Sequence, residues 1–182
     1  MIAGCRLCPG VTPPPILWAR EGQRALIVGQ APGITEPQRG LPFAGAAGRT
    51  LITWLAPLGI TDHDSMLERF AFAAVAKCYP GRSLGGRGDR APDRSERAHC
   101  LPWTDALVRH CDPLVVVPVG RLAIDDWIGR EPLSELIGRR FERDGRIIVP
   151  LPHPSGASSW TNHAANRALV ELAVAQLRDT LP

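Results

Sequence analysis

Five cysteines occur in the sequence, and four of them are spaced as metal ligands could be. Cys5 and Cys8 form a C-x-x-C pair near the start, while Cys78 and Cys100 bracket a Gly- and Arg-rich stretch. One tight pair and two distant thiols can supply four thiolates to a tetrahedral zinc or to an iron–sulfur cluster. A zinc ribbon more often offers two C-x-x-C pairs, so the widely split second pair favours a [4Fe–4S] cluster; composition alone does not separate zinc from iron. A thioredoxin-like pair would follow a strand and open a helix, and Cys5 and Cys8 precede every strand pattern in the chain. Cys111 sits at helical spacing behind Leu107 and reads as a small core residue.

Three loops carry the other chemistry. Gly29–Gly33 (GQAPG) follows an apolar run, and its glycines and proline around Gln30 make a tight turn where open α/β sheets bind ligands. Leu41–Arg49 (LPFAGAAGR) presents Phe43 just ahead of a small-residue stretch that opens a helix; a core phenylalanine is the plain alternative. In Leu151–Gly156 (LPHPSG), His153 lies between two prolines that restrict the backbone and suit a histidine aimed into a pocket. His63, His99, His110 and His163 belong to no motif and are expected at the surface or in packing. Trp160, Asn162 and Asn166 are better read as packing and capping residues than as part of a site. Residues 81–97 hold five arginines against three acids. A solvated loop is the plain reading, and an arm that contacts phosphates is the functional one.

These loops need a frame to hold them. Ala25–Gly29, Phe70–Ala76, Leu114–Gly120 and Arg146–Leu151 are short continuous apolar runs, as expected of strands covered on both faces. Helical patterns cover Gly48–Leu58, Trp103–Cys111, Arg121–Ile128 and a last stretch from Asn162, a plausible N-cap, to about Leu181. The alternation predicts a three-layer α/β/α sandwich around a mainly parallel four-stranded sheet, with 1–182 as one domain. An N-terminal cysteine segment (1–15) contains a stiff, exposed proline-rich connector (9–15). At 182 residues with 45% hydrophobic and 21% charged, the chain can bury a core, which excludes wholesale disorder. It has no apolar run long enough to span a bilayer, and MIAGCRLCPG does not read as a secretory leader, so a cytoplasmic location is expected. The net charge is +3, and 21 basic residues include Lys77 as the single lysine.

Taken in order, the C-x-x-C, GQAPG with GLPFAGAAGR, AVAKC, Cys100 and HPS resemble the uracil-DNA glycosylase superfamily, in particular its iron–sulfur-bearing family 4 and family 5 branches. The likeness runs from Cys5 to the helix after His153. It implies that Cys5, Cys8, Cys78 and Cys100 hold a structural [4Fe–4S] cluster ordering the loop between the last two. Phe43 would stack on an extruded base, with Gly29, Ala31 and Ala74 lining its place. His153 would donate toward uracil O2 as the glycosidic bond breaks. Pro154, Ser155 and Gly156, with Arg82 and Arg87, would contact DNA. An extruded base held against an aromatic face, with its leaving anion stabilised, is what such chemistry requires.

Two positions depart from the family 4 pattern. Gln30 stands where a glutamate positions or activates the attacking water, and a carboxamide can orient water but not take its proton. That duty falls to Glu36, or Gln30 suffices in a dissociative cleavage; a merely solvated Glu36 is the plain alternative. Ala74 stands where an asparagine reads the uracil edge, as alanines do in family 5, whose first motif nonetheless differs. Loss of polar readout relaxes selectivity. The expected function is a monofunctional glycosylase, a monomer acting on uracil or a related deaminated base in DNA. The alternative is a catalytically silent DNA-binding member of the same fold.

Overall fold

The computed structural model describes residues 2–85, 88–156 and 159–182. A five-stranded sheet runs through its centre in the order β2 (Ala71–Ala74), β1 (Ala25–Gly29), β3 (Val115–Pro118), β5 (Arg146–Ile148), β4 (Phe141–Arg143). β2, β1, β3 and β5 are parallel, and β4 pairs antiparallel with β5 at one edge. Side chains alternate across the sheet. Ala25, Ile27, Phe72, Val115 and Val117 pack on one face with Leu51 and Leu55 of α2 (Ala46–Leu55), Met66 and Leu67 of α3 (His63–Arg69), and Val170, Ala173 and Leu177 of α7 (Ala164–Arg178). Leu26, Val28, Ala73, Val116 and Ile148 pack on the other face, against Cys111 of α4 (Arg94–Cys111) and Ala123 of α5 (Arg121–Trp127). Both faces of the parallel strands are covered, which is why they are continuously apolar. The short α1 (Glu36–Arg39) and α6 (Leu133–Leu136) lie in the connections.

The layers are those expected, and the sheet has one strand more. β4 is short, polar and exposed at two of its three positions, so periodicity does not show it. Its hairpin turn does carry a signal: Asp144 and Gly145 both have positive φ, at 51° and 73°, as a two-residue Asp-Gly turn demands. The expected strands 70–76, 114–120 and 146–151 end earlier than their apolar runs. Their tails continue as bonded extensions, with Val75 N–H donating to Gly29 O and Leu151 N–H to Pro118 O.

α4 starts at Arg94, not Trp103, so the loop expected over 81–97 ends in a helix that carries Cys100. The polar opening turns, RSERAH, have no apolar stripe; they are started by a capping box in which Asp93 accepts from Glu96 N–H and Glu96 accepts from Asp93 N–H. α7 begins at Ala164, after a 3-10 turn at Trp160–Asn162, so Asn162 is not its N-cap; His163 stands there with no side-chain capping bond. Asn166 Nδ2 donates to Trp160 O and ties that turn to the helix.

The proline-rich connector does not hang free. Thr12 exchanges backbone hydrogen bonds with Tyr79, and Ile16 N–H donates to Lys77 O at 2.7 Å. The N-terminal segment is thereby laid beside the chain leaving β2, next to Cys78. No helix among the described residues is long and apolar enough to cross a membrane.

Candidate active site and cysteine cavity

The C-terminal ends of β1 and β2 and the loops after β3 and β5 meet around a cleft of about 580 Å³. Gly29–Glu36, Phe43, Ala73, Ala74, Val119, His153, Ser155 and the stretch 88–90 line it. Parallel strands make this convergence: all four end on the same side, so the loops that follow them share one rim.

Phe43 is half-buried and adopts a left-handed backbone, φ 49°, which is rare for an aromatic residue. Gly48 makes that geometry possible, because a Cβ there would lie 1.7 Å from Phe43 O. The ring rests on Gly29, whose own Cβ would be 3.2 Å from Phe43 Cζ, and tilts against Phe72 with centroids 5.9 Å apart. His63 Nε2 lies 2.8 Å from Pro42 O and braces the same loop from outside.

His153 is the most informative group in the cleft. The backbone N–H of Ser155 donates to its Nδ1 at 3.2 Å, and Ser155 Oγ lies 2.9 Å from the same nitrogen. An Nδ1 that accepts leaves the proton of the neutral ring on Nε2. Burial pushes the His153 pKa below the ordinary imidazole value, while Asp89 opposes the shift. Gly120 lets the ring approach: a Cβ there would sit 3.0 Å from His153 Cδ2.

Two carboxylates, Glu36 and Asp89, also line the cleft. Glu36 is 7% exposed, so the solvated reading of it is wrong, and its Oε1 accepts from Gly45 N–H at 3.2 Å. That bond ties the start of α1 to the Phe43 loop. Gln30 lines the cleft, and its backbone carbonyl accepts from Ala76 N–H. Ala74, 8% exposed, ends β2 beside them with a methyl group where an amide could have reached a base. Asp89, which the sequence reading did not single out, stands at the cleft mouth and accepts from the Tyr79 hydroxyl at 2.9 Å. Its Oδ2 and Glu36 Oε2 both approach Gly33, lying 3.3 and 3.0 Å from where a Cβ would be. Nothing in the sequence marked Asp89 apart from its neighbours in the Gly/Arg stretch.

That stretch is folded back on itself. Arg82 and Asp89 form an antiparallel bridge, and Arg90 N–H donates to Gly81 O. Arg90 is not available to phosphate, since it binds the buried Glu96 through two hydrogen bonds; Arg97 pairs with Asp126. Arg82 and Arg94 are exposed, and Arg87 lies outside the described residues. Of the residues after His153, Pro154 is buried, Ser155 lines the cleft and Gly156 is exposed.

Cys5, Cys8, Cys78 and Cys100 line a separate cavity of about 50 Å³. Burial first, then the neighbouring Cys100, Cys5 and Cys8, push the Cys78 thiol up to about 11. Burial and Cys100 act in the same direction on Cys8, whose Sγ lies 3.4 Å from His99 Nδ1. Cys5, Cys8 and Cys100 thus each raise a neighbouring thiol's pKa, a costly arrangement unless a cation neutralises the thiolates. Among the described residues no three His, Cys, Asp or Glu side chains are gathered as a single metal ion would require. Lys77, the lone lysine, is fully buried beside this cavity; Nζ donates to Cys100 O at 2.8 Å and to Thr104 Oγ1, and burial pushes its pKa down to about 8. A lysine directly after the apolar run 70–76, in an otherwise arginine-only chain, was a legible signal of such a buried tie. Cys111 is buried in the core, as expected.

The model of the uracil DNA glycosylase superfamily matches residues 19–178, and the chain belongs to that superfamily. It is 34% identical over 130 residues to a type-4 uracil-DNA glycosylase of Pyrobaculum aerophilum, covering 70% of this chain and 58% of that one. It is 30% identical to the type-4 enzyme of Thermotoga maritima (72% of this chain, 65% of that one) and 32% identical to that of Archaeoglobus fulgidus (67% and 57%). The matched part of the chain thus spans 57–65% of the length of these relatives.

Proposed function

We propose that this chain is a monofunctional DNA glycosylase that hydrolyses the N-glycosidic bond of uracil or a related deaminated base in DNA. The observation that carries this is His153, held neutral with its Nε2–H free to donate into a cleft that Phe43 walls. A base turned out of the stack would lie against Phe43, and Nε2–H would stabilise the charge that develops on its O2 as the bond to C1′ breaks. A fixed donor needs no reorganisation at that moment. Water completes the reaction at C1′. Gln30 orients it, and Glu36, a cleft-lining carboxylate whose Oε2 is not engaged by Gly45 N–H, takes the proton; Asp89 offers a second carboxylate.

Ala74 replaces an amide with a methyl group, so the pocket distinguishes bases by shape more than by polar readout. Pro154, Ser155, Gly156, Arg82 and Arg87 lie on segments suited to the DNA backbone. Monofunctional chemistry is favoured because the one lysine is buried away from the cleft, leaving no lysine amine to form a Schiff base there. The four cysteines suit a [4Fe–4S] cluster. Cys5, Cys8, Cys78 and Cys100 would hold the cluster, and its contribution here is structural, pinning the N-terminal segment, the end of β2 and α4 together. We read 1–182 as one domain, acting as a cytoplasmic monomer on DNA. The names of the relatives favour an active enzyme, and nothing in them favours the catalytically silent alternative.

The test is base release from oligonucleotides carrying one uracil, hypoxanthine or xanthine, single-stranded and opposite each base. Alkali-labile sites at the lesion are expected, with a broad rank order of bases. No release from any substrate by cluster-loaded protein would overturn the reading.

A further inference from the structure

We propose that Asp89 supplies the carboxylate that position 30 lacks: with Glu36 it flanks the attacking water, and it faces the positive charge that grows at C1′. The inference rests on the glycosylase reading above and deepens it.

Asp89 and Glu36 come from different segments and are held in the same way. Glu36 Oε1 accepts from Gly45 N–H at 3.2 Å, and Asp89 Oδ1 accepts from the Tyr79 hydroxyl at 2.9 Å. Each carboxylate thus has one oxygen tied and one left over, and the two left over converge. A Cβ on Gly33 would lie 3.0 Å from Glu36 Oε2 and 3.3 Å from Asp89 Oδ2, so both oxygens flank the residue that ends the GQAPG turn. The stem fixes the backbone of Asp89 through its bridge to Arg82 and through Arg90 N–H, which donates to Gly81 O at 2.9 Å. Arg90 commits its guanidinium to Glu96 and not to its neighbour.

His153 relates this pair to the reacting bond. Asp89 opposes the downward shift of the His153 pKa, so its charge is felt at that ring. The uracil O2 assigned to Nε2–H is two bonds from N1, the atom that carries C1′, and a carboxylate near the ring is therefore near C1′ too. In the reaction the C1′–N1 bond breaks with its electron pair leaving on the base, and the water oxygen bonds to C1′. One water proton passes to Glu36, and the base departs as the anion that His153 stabilises. Positive charge builds on C1′ before the water bond is made, and a fixed carboxylate facing it lowers the barrier without reorganising. Gln30, just after β1, has no charge to offer; Asp89 reaches the same cleft from the 81–97 stretch. Asp89 is exposed in the free protein, and DNA covering the mouth would strip water from it and strengthen its field.

The experiment measures single-turnover release of uracil from single-stranded DNA by cluster-loaded protein carrying Asp89→Asn, Gln30→Glu or both. Asp89→Asn keeps the shape of the side chain and a carbonyl for the Tyr79 hydroxyl, so the fold is expected to survive. Alone it should slow release about a hundredfold, with no loss of DNA affinity. Placed on Gln30→Glu it should cost less than about fivefold, because a carboxylate is restored from the other loop. No loss in Asp89→Asn, or the same loss in both backgrounds, overturns the proposal. A second arm compares binding of two oligonucleotides, one with a pyrrolidine whose cationic nitrogen replaces C1′ and one with a neutral tetrahydrofuran. Wild-type protein should prefer the cation, and Asp89→Asn should reduce that preference about tenfold or more; an equal preference in both overturns the proposal. If the wild type releases no base at all, the glycosylase reading fails, and this binding arm still decides the charge given to Asp89.

Discussion

At the scale of single residues, this site depends on backbone placed unusually close to side chains. Gly48→Ala puts a methyl group where Phe43 O now lies, and we expect a loss of about 1–3 kcal/mol, read as a lower urea midpoint, together with displacement of the Phe43 ring. His153 is held by its own loop, and the hydrogen bond from Ser155 N–H works only while Nδ1 is unprotonated. Its pKa is lowered by burial, so the unfolded chain takes up this proton at higher pH than the folded one. The neutral ring therefore contributes stability above about pH 6.5, the unperturbed value, and that contribution is lost as pH falls from there toward the folded pKa. An NMR titration of the imidazole should show a midpoint below that of a free histidine; one at or above it would refute the burial that keeps the ring neutral. His153→Ala should slow base release by about a hundredfold or more while leaving DNA affinity within a fewfold, because the interaction develops in the transition state.

At the scale of elements, α4 links the two cavities. Its capping box fixes where the helix begins, and so the turn on which Cys100 stands, while Lys77 bonds Cys100 O and leads back along β2 to Ala74. Glu96 belongs both to the cap and to the clamp on Arg90, so one carboxylate holds the start of the helix and the foot of the arginine-bearing stem. Cys78→Ser or Cys100→Ser should therefore loosen residues 81–90 and weaken DNA binding without touching the cleft wall directly. Hydrogen exchange of those amides, with DNA affinity alongside, checks this; unchanged affinity in cluster-free variant would remove the structural role given to the cysteines. The same reasoning explains what periodicity missed. The opening of α4 is polar on all sides and could be recognised only by its D-x-x-E cap, and β4 only by the Asp-Gly turn beside it.

At the scale of the whole molecule, the modest charge of +3 makes DNA binding a matter of placement more than of total charge. Most arginines of the 81–97 stretch that sequence alone offered to phosphates differ in what they can do. Arg90 and Arg97 are paired within the protein, while Arg82 remains exposed beside the cleft. Affinity should fall linearly with salt on logarithmic axes, and Arg82→Ala should reduce the slope by about 1, the share of one phosphate contact. An Arg90→Ala variant should instead lose order in the stem, because its partner Glu96 would be left buried and unpaired.

The sequence by itself determined the layers and the set of loops. Apolar runs of strand length can be buried only in a sheet covered on both faces, and motifs at the ends of parallel strands necessarily meet at one rim. It also marked Phe43, His153 and the four cysteines, whose types and local context are unusual. Tertiary structure alone decided which groups face one another. Asp89 reaches the cleft because a folded-back stem carries it there, Glu36 sits buried where Gly45 N–H, nine residues on, donates to its carboxylate, and Arg90 is spent on Glu96. Such pairings follow from contacts between segments that no local pattern encodes, and a charge read as solvated in the sequence becomes a tie once a partner is packed against it.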